Sequence, residues 1–410
     1  MDNDLGSVRE NILKQVSEKA KEFPVDFSKH DDLNFRRRVE AMFKTVLREN
    51  RGIMLSHGQQ EELLSDVISY LLGLGPIDKL LKDPDVTEIM VNGPKQVYIE
   101  KEGQLHLTEV TFRDDEHLSY FIEKIISPLG RRITEFEPYV DARLPDGSRV
   151  NIVRSPVSSA GQILTIRKFS HRVLTIEDLI RSGTLDEITA EFLKACIVAR
   201  LNILISGGAS SGKTTLLNAL GAFIPDGERV IVIEDTKELR FPKTHTIYME
   251  TRASNIEGKG EITIRHLLRN SLHMRPDRII VGEVRSDEVL DMIQAMNTGH
   301  DGSMTTLHAN SPLEAMDRLE VLALMGSVNI SSEVAKRQII SAVDLVIHMA
   351  RLPGGSRKIT QIDQVLKEEE YNLQDIFVFE GEEGKLKPTG KLPIFYIKLK
   401  NKANYTWENI

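Results

Sequence analysis

Residues 207–214 have the sequence Gly-Gly-Ala-Ser-Ser-Gly-Lys-Thr and match the phosphate-binding pattern G-x-x-x-x-G-K-[ST]. An apolar run at residues 201–206 precedes this loop, and a helical stretch at residues 215–220 follows it. In such a bent loop the backbone N–H groups point inward at phosphate oxygens, and the next helix directs its positive end at the same charge. We therefore predict a site for ATP with Mg²⁺. Its predicted binding residues are Gly207, Gly208, Ala209, Ser210, Ser211, Gly212, Lys213, Thr214 and Thr215.

Acidic residues follow two other apolar runs. Glu234 and Asp235 come directly after residues 230–233, and Glu283 comes after residues 279–282. Hydrolysis requires a carboxylate that positions or deprotonates the attacking water, and another acidic group that holds Mg²⁺ or its water shell. We predict that Glu234 orients the water, while Asp235 and Glu283 support Mg²⁺ together with the Thr214 hydroxyl, partly through water. The roles of the two glutamates can be exchanged.

A fourth polar cluster lies at residues 298–310 and contains His300 and His308. Because an imidazole at a strand end can hydrogen-bond a γ-phosphate, a phosphate sensor is one interpretation. A metal site and an ordinary structural histidine are the alternatives. The cluster has no cysteine and no further ligands at a recognisable spacing, which disfavours the metal site. We assign His308 to the catalytic group and His300 to nucleotide binding.

The composition describes a soluble globular chain. It has 410 residues, of which 40% are hydrophobic and 28% charged, with a net charge of −8. The acidic balance and an aromatic content of 6% disfavour a dedicated nucleic-acid binder, so no nucleic-acid partner is expected. One cysteine, Cys196, indicates a reducing compartment. No apolar run approaches the ~18 residues of a membrane span, and the acidic start does not resemble a signal peptide, so a cytoplasmic location is expected.

Periodicity divides the chain into four parts. Helical spacing of apolar residues predicts a helical unit over residues 1–60, and a change toward period two predicts an α+β domain over residues 61–170. A linker that includes the first helix of the next domain is predicted at residues 171–183. Residues 184–410 alternate strands and helices, which is typical of an α/β domain with a parallel sheet, and become β-rich from about residue 343. Its strands are predicted at 202–206, 229–234, 278–282 and 303–307, each just before a polar cluster at the edge where such sheets bind ligands.

Taken together, these clusters resemble those of the secretion ATPases of the type II, type IV pilus and type IV secretion superfamily. Further segments resemble the CpaF-type ATPases of tight-adherence (Flp or Tad) pilus assembly. The first set comprises residues 207–214, 233–239, 281–285 and 299–310, and the second residues 75–77, 91–94, 141–151, 250–252, 255–260, 274–278 and 295–300. One departure is His273, where this family leads us to expect arginine.

The resemblance implies a homo-hexameric motor. Each subunit would join an α+β N-terminal domain through a mobile linker to a RecA-like P-loop ATPase domain, with nucleotide between the two. It also implies that arginines approach the γ-phosphate, where a guanidinium neutralises developing charge. Our candidates are Arg149, Arg154 and Arg167, with Arg269 and Arg285 as interface or phosphate arginines. An inner-membrane platform protein is the implied partner, through which the motor would associate peripherally with the membrane.

The motor function implied by the resemblance is assembly of a Flp/Tad pilus, with retraction left open, and three other functions compete with it. A conjugation-type or DNA-uptake secretion ATPase would have the same fold and chemistry with a different cargo. A RecA-like nucleic-acid translocase is a second alternative, disfavoured by the acidic balance. A nucleotide-binding scaffold without hydrolysis is the third, and Glu234 and Glu283 argue against it.

Overall fold

A computed structural model of the chain describes residues 2–20, 33–50, 55–71, 73–101, 103–129, 132–144, 146–169, 173–252, 254, 259–326, 330–380 and 384–407. The chain forms two compact units, Met1–Ser170 and His171–Ile410, and each is considered by itself. Parts of three predicted features lie outside the described residues. They are residues 171–172 of the linker, Pro145 of the motif at residues 141–151 and residues 255–258 of the motif at residues 255–260.

The first unit begins with three helices, α1 (Asp2–Ala20), α2 (Leu33–Glu49) and α3 (His57–Leu71). They bury a shared apolar core that includes Val16, Phe43 and Val67. The predicted boundary between residues 60 and 61 is wrong because it falls inside α3. The apolar positions of α3 pack on α1 and α2, so the helical part continues to Leu71.

The rest of this unit contains two helices and six strands. The elements are α4 (Asp78–Lys82), β1 (Val86–Asn92), β2 (Val97–Lys101), β3 (Gln104–Leu107), α5 (Asp115–Ile126), β4 (Tyr139–Arg143), β5 (Arg149–Val153) and β6 (Ile163–Arg167). The strands form an antiparallel sheet in the order β3-β2-β1-β6-β5-β4.

Lys124 on α5 connects this part to the helical part. It donates hydrogen bonds to the carbonyl oxygens of Tyr70, Leu71 and Gly73 and so caps the end of α3. Burial lowers the pKa of this lysine to about 7.

The second unit is built on a nine-stranded sheet in the order β15-β14-β13-β12-β7-β11-β10-β8-β9. Its strands are β7 (Ile203–Gly207), β8 (Val230–Glu234), β9 (Thr246–Glu250), β10 (Arg278–Val281), β11 (Met304–His308), β12 (Leu345–Arg351), β13 (Arg357–Leu366), β14 (Asn372–Glu380) and β15 (Lys385–Pro388). Its helices are α6 (Ile176–Arg181), α7 (Glu187–Val198), α8 (Lys213–Gly221), α9 (Ile264–Ser271), α10 (Glu288–Asn297), α11 (Pro312–Leu324), α12 (Ser332–Ala342) and α13 (Tyr396–Ala403).

Strands β7 to β12 pair in parallel, and β12 to β15 pair antiparallel. Alternate residues of the parallel strands belong to two cores, one on each face: Ile203 and Ile205 to the first, Leu204 to the second. Burial on both faces explains the continuous apolar runs in the sequence. The expected α/β class is therefore confirmed, with the predicted strands within one residue of those observed.

Two predicted segments of this unit contain helices. The helix predicted within the linker at residues 171–183 is α6, whose Ile176 and Leu179 are buried in the core of the second unit. The β-rich end also contains α13, whose Leu399 is fully buried. In the described part of the chain, no helix combines the length and apolar character needed to cross a membrane.

Candidate active site at the carboxyl edge of the sheet

The phosphate-binding loop joins β7 to α8 through a backbone that only a few residue types adopt easily. Gly207 has φ 153°, Ser210 φ 55° and Gly212 φ 97°. A Cβ on Gly207 would lie 2.3 Å from the carbonyl oxygen of Met349 on β12, so this position requires glycine. The Ser211 hydroxyl is buried and has no hydrogen-bond partner among the described residues. These features form a cradle of backbone groups at the start of α8, where Thr214 and Thr215 lie in the first turn.

The Lys213 ammonium group lies over the loop that precedes it. It donates hydrogen bonds to the carbonyl oxygens of Gly207 at 3.0 Å and Gly208 at 2.8 Å, and contacts His308 Nδ1 at 3.2 Å. These acceptors are uncharged, so a phosphate oxygen would compete with them strongly for the ammonium group. Lys213 is therefore held beside the cradle by hydrogen bonds that an anion can replace.

A continuous row of polar side chains starts at Lys213 and follows the carboxyl ends of the strands. His308 Nε2 lies 2.9 Å from Glu283, Glu283 lies 2.6 Å from Arg285, and Arg285 lies 3.3 Å from Asp235. We call Lys213, His308, Glu283, Arg285 and Asp235 the edge row. Strands β7, β11, β10 and β8 are neighbours in the parallel sheet, which is why their distant residues meet here. The structure thus brings together five residues that the sequence analysis named.

The hydrogen bonds assign the state of His308. Because an ammonium group can only donate, Nδ1 accepts from Lys213, and Nε2 carries the proton that it donates to Glu283. Burial lowers the pKa of His308; Glu283 opposes this effect, while Lys213, Arg285 and Arg318 add to it. The hydrogen bond to Glu283 raises the pKa of Arg285. A neutral imidazole therefore connects a cation on one side with a carboxylate on the other.

Glu234 lies at the same edge but outside the edge row. Its buried carboxyl group accepts hydrogen bonds from the backbone N–H groups of Glu238 and Leu239 at 3.0 to 3.2 Å. Burial raises the pKa of Glu234 to about 7, although these amide hydrogen bonds act in the opposite direction. Both of its oxygens are engaged in shaping the loop that follows β8. This geometry favours Glu283 over Glu234 as the carboxylate that acts near Lys213.

The structure separates His300 from the predicted nucleotide site. His300 precedes β11, whereas His308 ends it, and β11 runs parallel to β7. His300 therefore lies toward the amino edge, and its Nδ1 contacts the carbonyl oxygen of Ala295 at 3.2 Å, near the end of α10. The prediction that His300 binds the nucleotide is wrong within this chain, because a residue before a parallel strand lies at the edge opposite to one that follows it.

The remaining predicted arginines have partners elsewhere. Arg269 on α9 pairs with Asp291 on α10 at 2.7 Å, so it joins two helices rather than the edge row. In the first unit, Arg149 and Arg167 are cross-strand neighbours on β5 and β6. Arg154 pairs with Glu123 of α5 at 2.9 Å, while its Nε and one terminal nitrogen are buried without a partner in the described part.

Comparison with known proteins places this chain in a family. The family model described as "Type II/IV secretion system protein" matches residues 71–375. The chain belongs to this family. Members of the family are ATPases, and the structural neighbours have the RecA-like fold.

Three relatives show the extent of the similarity. Rv3659c of Mycobacterium tuberculosis, provisionally named a conjugal transfer protein, is 35% identical over 321 residues, covering 77% of this chain and 90% of the relative. VirB11 of Bartonella henselae, a type IV secretion system protein, is 32% identical over 342 residues, covering 74% of this chain and 96% of the relative. The solved structure of the Legionella pneumophila ATPase DotB matches with a TM-score of 0.51 and 19% identity, covering 71% of this chain and 79% of DotB, which shows the shared fold.

The edge of this family member has the groups that ATP and Mg²⁺ require. The cradle offers backbone N–H groups and the buried Ser211 hydroxyl, which has no hydrogen-bond partner among the described residues. It also has Lys213, whose hydrogen bonds to loop carbonyls can be exchanged for phosphate oxygens. In the described residues no three His, Cys, Asp or Glu side chains converge as a metal site. Mg²⁺ in phosphate-binding sites usually has one or two protein carboxylates, with substrate phosphates and water as its other ligands. Thr214, Asp235 and Glu283 fit this pattern.

Sequence reasoning missed three residues at this edge. Glu238 lies close enough to Glu234 and Arg285 to influence the pKa of both. His348 on β12 lies opposite Ser206 and contacts its Oγ at 2.8 Å through Nδ1, and Arg357 on β13 donates to the carbonyl oxygen of Ser210. His348 had a usable signal, since a polar residue inside a buried apolar strand requires a partner. Arg357 gave no such signal.

Proposed function

We propose that this chain hydrolyses ATP at the carboxyl edge of its parallel sheet. The observation that carries the proposal is the edge row, which connects the lysine of the phosphate-binding loop to Glu283 through His308. Backbone N–H groups at the start of α8 bind the phosphates. Lys213 exchanges its carbonyl acceptors for phosphate oxygens, and His308 then loses its contact with Lys213. In this way His308 senses the occupied loop and transmits the change to Glu283.

The carboxylates divide the remaining tasks. Glu283 orients the attacking water, since it lies one side chain away from Lys213 and partly exposed, whereas Glu234 holds the loop at residues 238–239. Glu238, at the same edge, is the second candidate for the water. Thr214 and Asp235 would hold Mg²⁺, partly through water, and Glu283 would support it. When bound, the ion neutralises charge on the transferring phosphoryl group. Arg149, Arg154 and Arg167 remain predicted contributors of positive charge at the γ-phosphate.

The work coupled to hydrolysis is assembly of a Flp/Tad-type pilus. The motifs at residues 250–252, 274–278 and 295–300, which resemble the CpaF-type subgroup, support this cargo. In this proposal the chain acts as a homo-hexamer on the cytoplasmic face of the inner membrane. It acts through a platform protein, and ATP and ADP favour different subunit conformations. A conjugation-type secretion ATPase is the second candidate, supported by relatives named for conjugal transfer and type IV secretion.

The catalytic part is tested by measuring phosphate release from ATP by the purified full-length chain, with and without Mg²⁺. We expect turnover that depends on Mg²⁺ and disappears in Lys213→Ala, with unchanged secondary structure by circular dichroism. Turnover that persists in the folded variant would contradict the assignment. Stimulation by DNA that weakens steeply with salt would instead favour a nucleic-acid translocase.

The cargo is tested in the native cell with a chromosomal Lys213→Ala substitution. Loss of surface pili with intact conjugal DNA transfer supports the pilus proposal, and the opposite result favours the conjugation candidate. Co-purification in ATP- and ADP-bound forms tests the platform protein and pilin as partners. Light scattering after size-exclusion chromatography tests the hexamer.

A further inference from the structure

The outer side of the phosphate-binding loop is covered by residues of β12 and β13. Arg357, at the start of β13, donates from Nε to the carbonyl oxygen of Ser210 at 2.9 Å. Its Cδ and the Cε of Met349 each lie 3.4 Å from the point that a Cβ on Gly212 would occupy. Arg357 is 147 positions from Ser210 in sequence and reaches the loop because β13 pairs with β12, which in turn pairs with β7.

Arg357 contacts the one residue of the loop whose backbone is unfavourable for its type. Ser210 has φ 55°, in the left-handed region that residues with a Cβ rarely adopt. Gly207 and Gly212 adopt their positive φ values without this penalty because they have no Cβ. The Ser210 conformation therefore needs support from its surroundings, and the hydrogen bond from Arg357 supplies it.

Peptide geometry connects that support to the ligand. In a planar trans peptide, the carbonyl of one residue and the N–H of the next point in opposite directions. Holding the Ser210 carbonyl toward β13 therefore directs the Ser211 N–H away from β13, toward the cradle. The charged guanidinium makes this a strong hydrogen bond.

We propose that Arg357 is a positioning residue that sets the affinity of the phosphate-binding loop for nucleotide by fixing the Ser210–Ser211 peptide. It acts on the loop rather than on the ligand. The amides that it aligns face the phosphates common to ATP and ADP, so both nucleotides depend on it equally. This inference rests on the proposed nucleotide site.

The test measures the Kd of ADP and of AMP-PNP by calorimetry for the full-length chain and for Arg357→Met, which keeps an apolar stem over Gly212. Loss of one charge-assisted hydrogen bond predicts that both Kd values rise by roughly tenfold. The kcat at saturating ATP should change by less than about threefold, because the aligned amides bind ground and transition states alike. Lys358→Met is the matched control, since the Lys358 amine bonds the Gly183 carbonyl outside the loop. It should leave both Kd values unchanged.

Ser210→Gly supplies the decisive comparison. Glycine adopts the positive φ without support, so Arg357→Met should raise the Kd values by about twofold or less in the Ser210→Gly background. A full effect in that background, an effect on AMP-PNP alone, or no effect of Arg357→Met in the native background would each overturn the inference. If Arg357→Met does not fold, Arg357→Gln enters the same comparison.

Failure of the nucleotide site itself would have a different result. Native protein that binds neither nucleotide, or Lys213→Ala that binds both as tightly as native protein, contradicts the proposed function. Native binding that is lost in Lys213→Ala but unaffected in Arg357→Met contradicts only the role of Arg357.

Discussion

Each of the two edges of the parallel sheet in the second unit has an arginine paired with a glutamate, but the two arginines are buried to different degrees. At the carboxyl edge, the Arg285 side chain is 53% exposed and pairs with Glu283. At the amino edge, the Arg278 side chain is 0% exposed and pairs with Glu228 at 2.5 Å. Each edge therefore has an arginine–glutamate pair, but only one pair is accessible to a ligand.

Packing around each pair shows what the difference means. A Cβ on Gly302 would lie 2.5 Å from a terminal nitrogen of Arg278, so the amino-edge guanidinium packs closely against the glycine. It also donates to the Gly302 carbonyl, and Arg200 adds a second cation beside Glu228. The carboxyl edge instead has an ammonium group on neutral carbonyls and a neutral histidine, whose hydrogen bonds an anion can exchange. We infer that charge at the amino edge maintains the fold, whereas charge at the carboxyl edge does chemistry.

Replacing a lysine at each edge should give the largest contrast. Lys213→Ala should lower ATP turnover at least about 1,000-fold, because the loop loses its cation for the β- and γ-phosphates. Lys398→Ala is the matched change at the amino edge, where the amine donates to the Arg200 carbonyl at 3.0 Å. It should leave turnover within about twofold. Phosphate release at saturating ATP measures both, and equal losses would remove the distinction between the edges.

Glu283→Gln should have the next largest effect. The amide keeps an acceptor for His308 but loses the negative charge that orients water and supports Mg²⁺, so kcat should fall about 100- to 1,000-fold. Thermal unfolding should stay within a few degrees of the native protein. Glu238→Gln is measured in parallel: a larger loss there than at Glu283 would assign the water to Glu238.

At the amino edge the expected loss is in stability rather than turnover. Arg278→Met leaves Glu228 without its buried partner and should lower the free energy of unfolding by about 3–5 kcal/mol. The double variant Arg278→Met with Glu228→Leu should recover much of this loss because neither member of the Arg278–Glu228 pair then leaves a buried charge. Urea unfolding midpoints measure both, and turnover per folded molecule should stay near native. A stable Arg278→Met protein with low turnover would show that this edge serves catalysis.

A buried carboxyl group that has no arginine partner among the described residues should make the stability of the fold depend on pH. Asp363 on β13 is fully buried and faces Asp375, Gln361 and, at longer range, Lys391; burial first, and then Asp375, raises its pKa from 3.8 to about 7. Between these values the folded protein retains a proton that the unfolded chain has lost, so stability falls as pH rises. Asp363→Asn should reduce the decline from pH 4 to pH 7 by about 2–4 kcal/mol. An identical decline in the variant would show that Asp363 is ionised.

Much of the carboxyl edge could be predicted because each parallel strand is a buried apolar run that ends in a polar cluster. This pattern located Lys213, Glu283 and His308 in sequence. The same pattern places His300 at the opposite edge, because His300 precedes the apolar run of β11 whereas His308 ends it. The direction of a parallel strand is therefore part of any site prediction made from its flanking residues.

Other elements depended on contacts that no local pattern records. Strand β9 is only partly buried at the edge of the sheet, so its alternation is weak. His348 and Ser206 are 142 positions apart, and the hydrogen bond between them exists only because β12 pairs with β7. Glu234 has the residue type of a catalytic base, but its two amide hydrogen bonds depend on the path of the following loop.

The smallest expected effect compares His300, which precedes β11, with His308, which ends it. His308→Asn should lower kcat by about tenfold, because asparagine cannot span from Lys213 to Glu283 as the imidazole does. His300→Asn should leave kcat within about twofold, since its imidazole only contacts the Ala295 carbonyl near the end of α10. Single-turnover rates measured beside steady-state rates separate chemistry from product release. A greater loss of kcat in His300→Asn than in His308→Asn would mean that the amino edge reaches reacting phosphate, and the division between the two edges would then be wrong.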